Sequence, residues 1–349
     1  MKAFKVAIIG HFGGNEKFLD GQTVKTKTLY DELSANTNWS IKKVDTYYKT
    51  KNPVKLLIQT VSALISTKNI IVLLSGNGMR FYFPLLNFAG KAFKTKVYHD
   101  VIGGNLDSYI KQNSKFAEYL NGFKANWVET EQLKKRIEKY GVKNCEVIPN
   151  FKHLNILSES EIFMEENKPF KFCTFSRVMK EKGIEDAIAA IVKINSEAGK
   201  TVCTLDIYGQ IDSGYKERFT EVMNNAASYI RYKGIIPFDK SVEAIKMYYA
   251  LLFPTYWYGE GFPGTIVDAY SAGLPVIATD WNCNSELIEN NITGILYPRE
   301  EKDGLKSSIE KFMSYDSLTR AEMKKNCLSM ANEYMPKKWI DIIKKRIEG

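Results

Sequence analysis

Runs of strand-forming residues alternate with helix-length amphipathic segments along this 349-residue chain, and they do so in two successive series. Apolar runs at 5–10, 41–45, 70–75, 96–99, 127–129 and 146–149 form the first series. Those at 172–176, 204–208, 230–232, 250–254, 275–278 and 294–297 form the second. That rhythm is the βαβ pattern of a parallel sheet covered by helices. The stretch 151–168, rich in Ser and Glu, loses the period and reads as the connection between the series. The chain also exceeds the roughly 250–300 residues at which a single core stops growing. The expected fold is therefore α/β, with two doubly wound parallel-sheet domains facing a central cleft. The first covers 1–150 and is joined by a closing amphipathic helix over 332–349; the second covers 151–331. Ligands of such sheets sit beyond the carboxyl ends of the strands, which makes the cleft the expected site.

With 44% hydrophobic and 26% charged residues, the composition lies far from that of a disordered chain. Cys145, Cys173, Cys203, Cys283 and Cys327 form no Cys-x-x-Cys pair. Their odd number and wide spacing speak against a disulfide framework or zinc site and fit a reducing cytoplasm. After the basic start at 1–5, the apolar run 6–9 ends at Gly10, too short for the core of a signal peptide. The longest apolar region, 54–74, is interrupted by Lys55, Gln59, Ser62, Ser66, Lys68 and Asn69. A spanning helix needs about 20 largely apolar residues, so a helix followed by a buried strand is expected instead. Residues 1–150 carry 23 Lys+Arg against 12 Asp+Glu, or +11, which leaves −2 for the remainder of a chain whose net charge is +9. A one-sided basic surface suits anionic lipid or a polyanion. No nucleic-acid-binding motif accompanies the charge, so nucleic acid is not expected as a partner.

The most informative segment runs Glu260-Gly261-Phe262-Pro263-Gly264-Thr265-Ile266-Val267-Asp268 and continues to Gly273-Leu274-Pro275-Val276. An acid leaves the strand ending at Pro254, Gly261 and Gly264 permit close backbone approach, and Pro263 suits the first turn of a helix. Free N–H groups at that helix start would face a bound diphosphate. Glu260 and Asp268 could both accept hydrogen bonds from sugar hydroxyls. The competing interpretation is a Gly-Pro turn with Asp268 solvated on the helix face.

This run resembles the donor-site signature of glycosyltransferase family four, retaining enzymes of the GT-B fold with two Rossmann-like domains. In that signature a Glu, seven residues and a second Glu precede a small-residue segment ending in Gly-x-Pro-Val. The segment Phe175-Ser176-Arg177-Val178-Met179-Lys180-Glu181-Lys182-Gly183 is similar to a second motif of the family, whose Arg and Lys neutralise the donor diphosphate. The resemblance implies those roles for Arg177 and Lys182. It places Glu260 on the transferred sugar, Asp268 on the ribose and the backbone around Ile235 and Ile236 on the base. Gly261, Phe262, Pro263, Gly264 and Thr265 would border the donor, and Lys182 and Glu260 are expected at the cleft surface. Two departures are visible: Asp268 replaces the second Glu, and Trp281-Asn282-Cys283-Asn284-Ser285-Glu286 lacks the family's Gly-Gly.

In the first half, His11-Phe12-Gly13-Gly14 and the helix start 20–26 resemble the family's loop that closes against the donor. Gly13 and Gly14 permit tight backbone, and Thr23 or Thr26 could cap the helix or contact phosphate. His99 stands where many members carry a His near the transferred sugar; otherwise it is a hydrogen-bonded strand-end histidine. The aromatic stretch 79–93, beside Arg80, Lys91 and Lys94, is either a face that meets lipid near the acceptor or a core helix. No nucleophile–base pair or metal-ligand cluster is spelled out, in keeping with retaining chemistry that uses no metal and no cofactor. The resemblance thus implies a transferase moving a sugar from a UDP- or GDP-sugar to a glycan acceptor, lipid-linked, in surface polysaccharide biosynthesis. Its expected location is cytoplasmic and peripheral on an anionic membrane. A GT-B nucleotide-sugar epimerase and an inactive nucleotide-sugar-binding partner are the alternatives.

Overall fold

The computed structural model describes residues 4–16, 20–162 and 169–349. Part of the expected basic start, 1–3, and the end of the expected connection, 163–168, lie outside the described residues. The chain divides into two compact units, one formed by Met1–His153 with Met335–Gly349 and the other by Leu154–Tyr334.

In the first unit, β1 (Val6–Gly10), β2 (Ile41–Asp45), β3 (Asn69–Val72), β4 (Lys96–Asp100), β5 (Ala125–Val128) and β6 (Cys145–Val147) form one parallel sheet in the order β2-β1-β3-β4-β5-β6. Strand β1 is buried along its whole length, which is why it reads as a continuous apolar run rather than an alternating one. The helix Gly21–Asn36 starts where the Asp20 side chain accepts a hydrogen bond from Thr23 N. The region 54–74 resolves as expected into a helix and a strand. Asn52 caps the helix Pro53–Ser66, with Pro53 in its first turn, and β3 follows. Among the described residues no helix is long and apolar enough to cross a membrane. The last helix, Pro336–Glu348, belongs to this first unit. Its Ile340, Ile343 and Ile347 pack into the layer of Ile8, Leu29, Tyr98 and Trp127, and Tyr98 OH donates to Arg346 O at 2.9 Å.

In the second unit, β7 (Phe170–Phe175), β8 (Cys203–Tyr208), β9 (Ile230–Gly234), β10 (Ala250–Phe253), β11 (Val276–Thr279) and β12 (Gly294–Tyr297) form a parallel sheet in the order β12-β11-β10-β7-β8-β9. The chain builds outward from β7 through β8 and β9, then returns to lay β10 on the opposite side of β7. That reversal marks the switch point of the sheet and sets the crevice at the carboxyl ends of β7 and β10. Apolar layers line both faces, with Phe172, Ile191 and Phe312 in one and Leu251, Ile266 and Tyr270 in the other.

Ile343→Ala should lower the unfolding free energy by about 2–5 kcal/mol, the range for emptying a packed core position. Urea denaturation followed by tryptophan fluorescence reads it; an unchanged midpoint would show that the last helix does not belong to this core.

Candidate functional site

The two loops at the β7/β10 crevice are pressed together. Gly183 has φ +68°, and a Cβ there would lie 2.2 Å from the Pro254 carbonyl oxygen, so only glycine lets the turn after β7 approach the end of β10 so closely. Tyr256 N donates to Glu181 O at 2.8 Å across the same junction. This approach brings Lys182 and Glu260, 78 positions apart, into a direct ion pair through Nζ and Oε2. Thr255 Oγ1 donates to the same carboxylate oxygen at 3.1 Å. The ammonium also lies 5.3 Å and 5.2 Å from the ring centroids of Phe253 and Trp257, within cation–π range. Glu260 Oε1 receives no hydrogen bond from the described residues, so one edge of the carboxylate is left to accept one from elsewhere.

The expectation that Lys182 and Glu260 lie at a surface is corrected: each is only 7% exposed. Each charge neutralises the other and aromatic rings cover the pair, so it tolerates burial that neither member would tolerate alone. Arg177 does lie at the surface, half-exposed, with Nη1 3.9 Å from Asp212 Oδ2.

Beyond Glu260 the chain runs through half-buried Gly261 to Phe262, which is buried edge-to-face on Tyr334 with ring centroids 5.1 Å apart. Pro263 occupies the position before the helix Gly264–Ser271 rather than its first turn. No side chain caps that helix, so its first N–H groups have no side-chain acceptor. Thr265 Oγ1 donates to Phe175 O, which fixes the helix start to the end of β7. Asp268 is not solvated: it is buried, and its Oδ1 accepts from Ser241 Oγ at 2.7 Å. Ile236 lies half-buried just past β9, on the same carboxyl edge, packed against the apolar layer of that face.

Sequence reasoning missed the groups that hold the Glu260 loop. Trp281 Nε1 donates to Trp257 O at 2.9 Å, Asn282 Nδ2 to Glu260 O at 3.3 Å, and Cys283 Sγ to Gly261 O at 3.0 Å. Asn282 has φ +47°, a conformation Asn adopts more readily than most residues. The signal was the segment 281–286, noted only for what it lacked.

Gly13 and Gly14 belong to the first unit, after β1, with φ +82° and +57°. The Asp45 carboxylate gathers this loop, accepting from Phe12 N at 2.9 Å and Gly14 N at 2.8 Å. Thr23 Oγ1 is shared between Asp20 Oδ2 at 2.7 Å and His11 Nδ1 at 2.6 Å, so it serves the cap. Lys25 Nζ is buried between Asp100 at 2.7 Å and Glu129 at 2.8 Å, an ion-pair cluster the sequence did not reveal. His99 requires a second correction. It is fully enclosed in β4, edge-on to Phe83 at 4.9 Å, and neither ring nitrogen has a hydrogen-bond partner among the described residues, so it is a core residue although it stands next to the strand end.

Burial pushes the His99 imidazole down to about 3, with Asn126 partly offsetting it. In the unfolded chain it titrates at about 6.5, so the folded state binds fewer protons between these values. Stability is therefore complete above the unfolded value and is lost as pH falls toward the folded one. His99→Leu should flatten the decline in melting temperature between about pH 7 and about pH 5. Parallel pH profiles for the two proteins would contradict the buried assignment.

Residues 155–329, just over half of the chain, match the family model described as glycosyl transferases group 1. The GtfA subunit of the UDP-N-acetylglucosamine–peptide N-acetylglucosaminyltransferase of Streptococcus agalactiae is 33% identical over 153 residues, 43% of this chain and 28% of that protein. The GtfA subunit of Streptococcus gordonii is 27% identical over 253 residues, 68% of this chain and 49% of that one. The chain thus spans less than half the length of these two curated relatives. Among solved structures, Anabaena HepE in complex with UDP superposes with a TM-score of 0.76 at 14% identity over 100% of both chains. The pneumococcal O-GlcNAc transferase GtfA in complex with UDP and GlcNAc gives 0.62 at 18% identity over 84% of this chain and 59% of that one. The fold is that of these GT-B glycosyltransferases. With the family match covering the whole β7/β10 crevice and its Lys182–Glu260 pair, the chain belongs to the glycosyl transferases group 1 family.

Proposed function

We propose that the chain is a retaining, metal-independent glycosyltransferase that moves a sugar from a UDP-sugar to a lipid-linked glycan acceptor in surface polysaccharide biosynthesis, working at the cytoplasmic side of a membrane. The observation that carries this reading is the buried Lys182–Glu260 pair beside the uncapped start of the helix Gly264–Ser271. In this reading the donor diphosphate lies at that helix start. As the bond from sugar to phosphate breaks, negative charge grows on the departing diphosphate. The Lys182 ammonium and the helix N–H groups stabilise it there without reorganising. Arg177 leaves its loose contact with Asp212 to add a second cation. Glu260 keeps Lys182 on Oε2 and accepts a sugar hydroxyl on Oε1, while Asp268, with Ser241, meets the ribose and the backbone at Ile236 the base. The acceptor hydroxyl attacks on the face the phosphate leaves and passes its proton to a phosphate oxygen, which retains the anomeric configuration.

UDP is favoured because the GtfA relatives are named for UDP-N-acetylglucosamine and HepE is solved with UDP. The GtfA relatives are also named for peptide, which is the rival acceptor. The basic first half of this chain, at +11, favours an acceptor held at an anionic surface.

The test combines a thermal-shift screen of UDP- and GDP-sugars in EDTA with a mass-spectrometric transfer assay. A UDP-sugar should raise the melting temperature without metal, because a ligand that binds only the folded state stabilises it. Removing one member of the pair strands a buried charge at a cost of about 3–5 kcal/mol, so the informative variant is Lys182→Met with Glu260→Gln. It should stay folded and lose transfer by about 10²–10³-fold. Stabilisation by GDP-sugars alone, a requirement for a divalent ion, or an isomeric nucleotide sugar as product would each contradict the reading.

A further inference from the structure

The helix Pro53–Ser66 is apolar on both sides. Thr60 and Ala63 are buried, with Leu56 and Leu64 packed against the same core. On its outer side Val54, Leu57, Ile58, Val61 and Ile65 follow helical spacing and are between 45% and 66% exposed. A helix with an apolar face on each side ordinarily buries both, and this one buries only one. The neighbouring helix Gly76–Phe93 has the same character. It buries Met79, Tyr82, Phe83 and Leu86 while Phe81 and Phe88 are each more than 60% exposed. The core-helix interpretation of 79–93 therefore holds for the inner face, while the outer face is left exposed. Thr60 Oγ1 and Tyr82 OH lie 2.9 Å apart and link the two helices. A cavity of about 520 Å³ opens between them at the carboxyl edge of the sheet, and its wall continues the apolar surface inward through Leu57, Val61, Leu74, Phe81 and Leu85.

The charge along the segment that forms this surface is of one sign. Residues 46–99 contain seven lysines and one arginine and no Asp or Glu. Lys49, Lys51, Lys55, Arg80, Lys91 and Lys94 are all exposed. A second copy of the same face would set like charges against one another, whereas an anionic bilayer offers apolar depth inside a negative rim.

We infer that the outer face of the helices Pro53–Ser66 and Gly76–Phe93 seats the protein in an anionic lipid bilayer, with Val54, Leu57, Ile58, Val61, Phe81 and Phe88 entering the interface and the surrounding lysines meeting the headgroups. This deepens the lipid side of the proposed function. It names the docking surface and sets it beside the carboxyl edge of the first unit's sheet, and its test requires no transfer activity.

The experiment is flotation of the full chain with phosphatidylcholine vesicles, with and without phosphatidylglycerol, at low and high salt. Wild type should float with the phosphatidylglycerol vesicles and be released by salt. Leu57→Glu with Ile58→Glu adds negative charge and removes apolar contact, and should reduce the bound fraction at least about tenfold. Both side chains are exposed, so the melting temperature should not change. Leu318→Glu, at an exposed position of the other unit, should bind like wild type. No flotation of wild type, or equal flotation of the Leu57/Ile58 variant, would overturn the proposal. So would a lipid-free dimer that this variant converts to monomer, since the face would then join two copies of the chain.

Discussion

A lysine and a glutamate buried together at the fork between β7 and β10 impose conditions on everything around them. Taking two charges out of water costs several kcal/mol per ion, so the pair persists only if contact is direct and the remaining polar atoms are satisfied. Gly183 meets the first condition by letting its turn touch the Pro254 carbonyl. Thr255 helps meet the second with a hydrogen bond to the carboxylate, and the Phe253 and Trp257 rings offer the ammonium their faces. The side chains of Trp281, Asn282 and Cys283 then fix the backbone from Trp257 to Gly261, so Glu260 sits on a braced loop rather than a free one. Preorganisation of this kind lets a fixed cation act on developing charge without rearranging first.

The first unit deals with charge differently. Lys25 is buried between two carboxylates near the ends of β4 and β5, and Asp45 gathers the backbone of the glycine turn after β1. These polar contacts organise the carboxyl edge of the sheet from within. Outside them, two helices present apolar side chains to solvent within a region that carries only positive charge. In the proposed function the polar crevice of one unit takes the water-soluble donor and the apolar, basic face of the other meets the surface that holds the acceptor.

Most of the architecture could be read from the sequence because the parallel strands are buried on both faces and the segments between them have helical period. The end of the run at 70–75 and the β3 boundary at Val72 differ by a few residues, as boundaries commonly do. The partnership of Lys182 with Glu260 was not legible, since it depends on the reversal of strand order that brings β10 beside β7. Nor was the burial of Asp268, whose partner Ser241 comes from a different helix. His99 was misread because its nearness to the strand end was weighed without its face: Val97, His99 and Val101 alternate onto one side of the sheet, and Val97 and Val101 belong to the core there. The family resemblance supplied residue roles that composition and spacing alone left open, and the structure refined which of those residues are buried.

The most direct measurement is a crystal structure of the chain with an intact UDP-sugar. The account predicts the diphosphate at the start of the helix Gly264–Ser271 within hydrogen-bond distance of Lys182 Nζ, and a sugar hydroxyl on Glu260 Oε1. A nucleotide sugar bound away from the β7/β10 crevice, with the Lys182–Glu260 pair untouched, would contradict it.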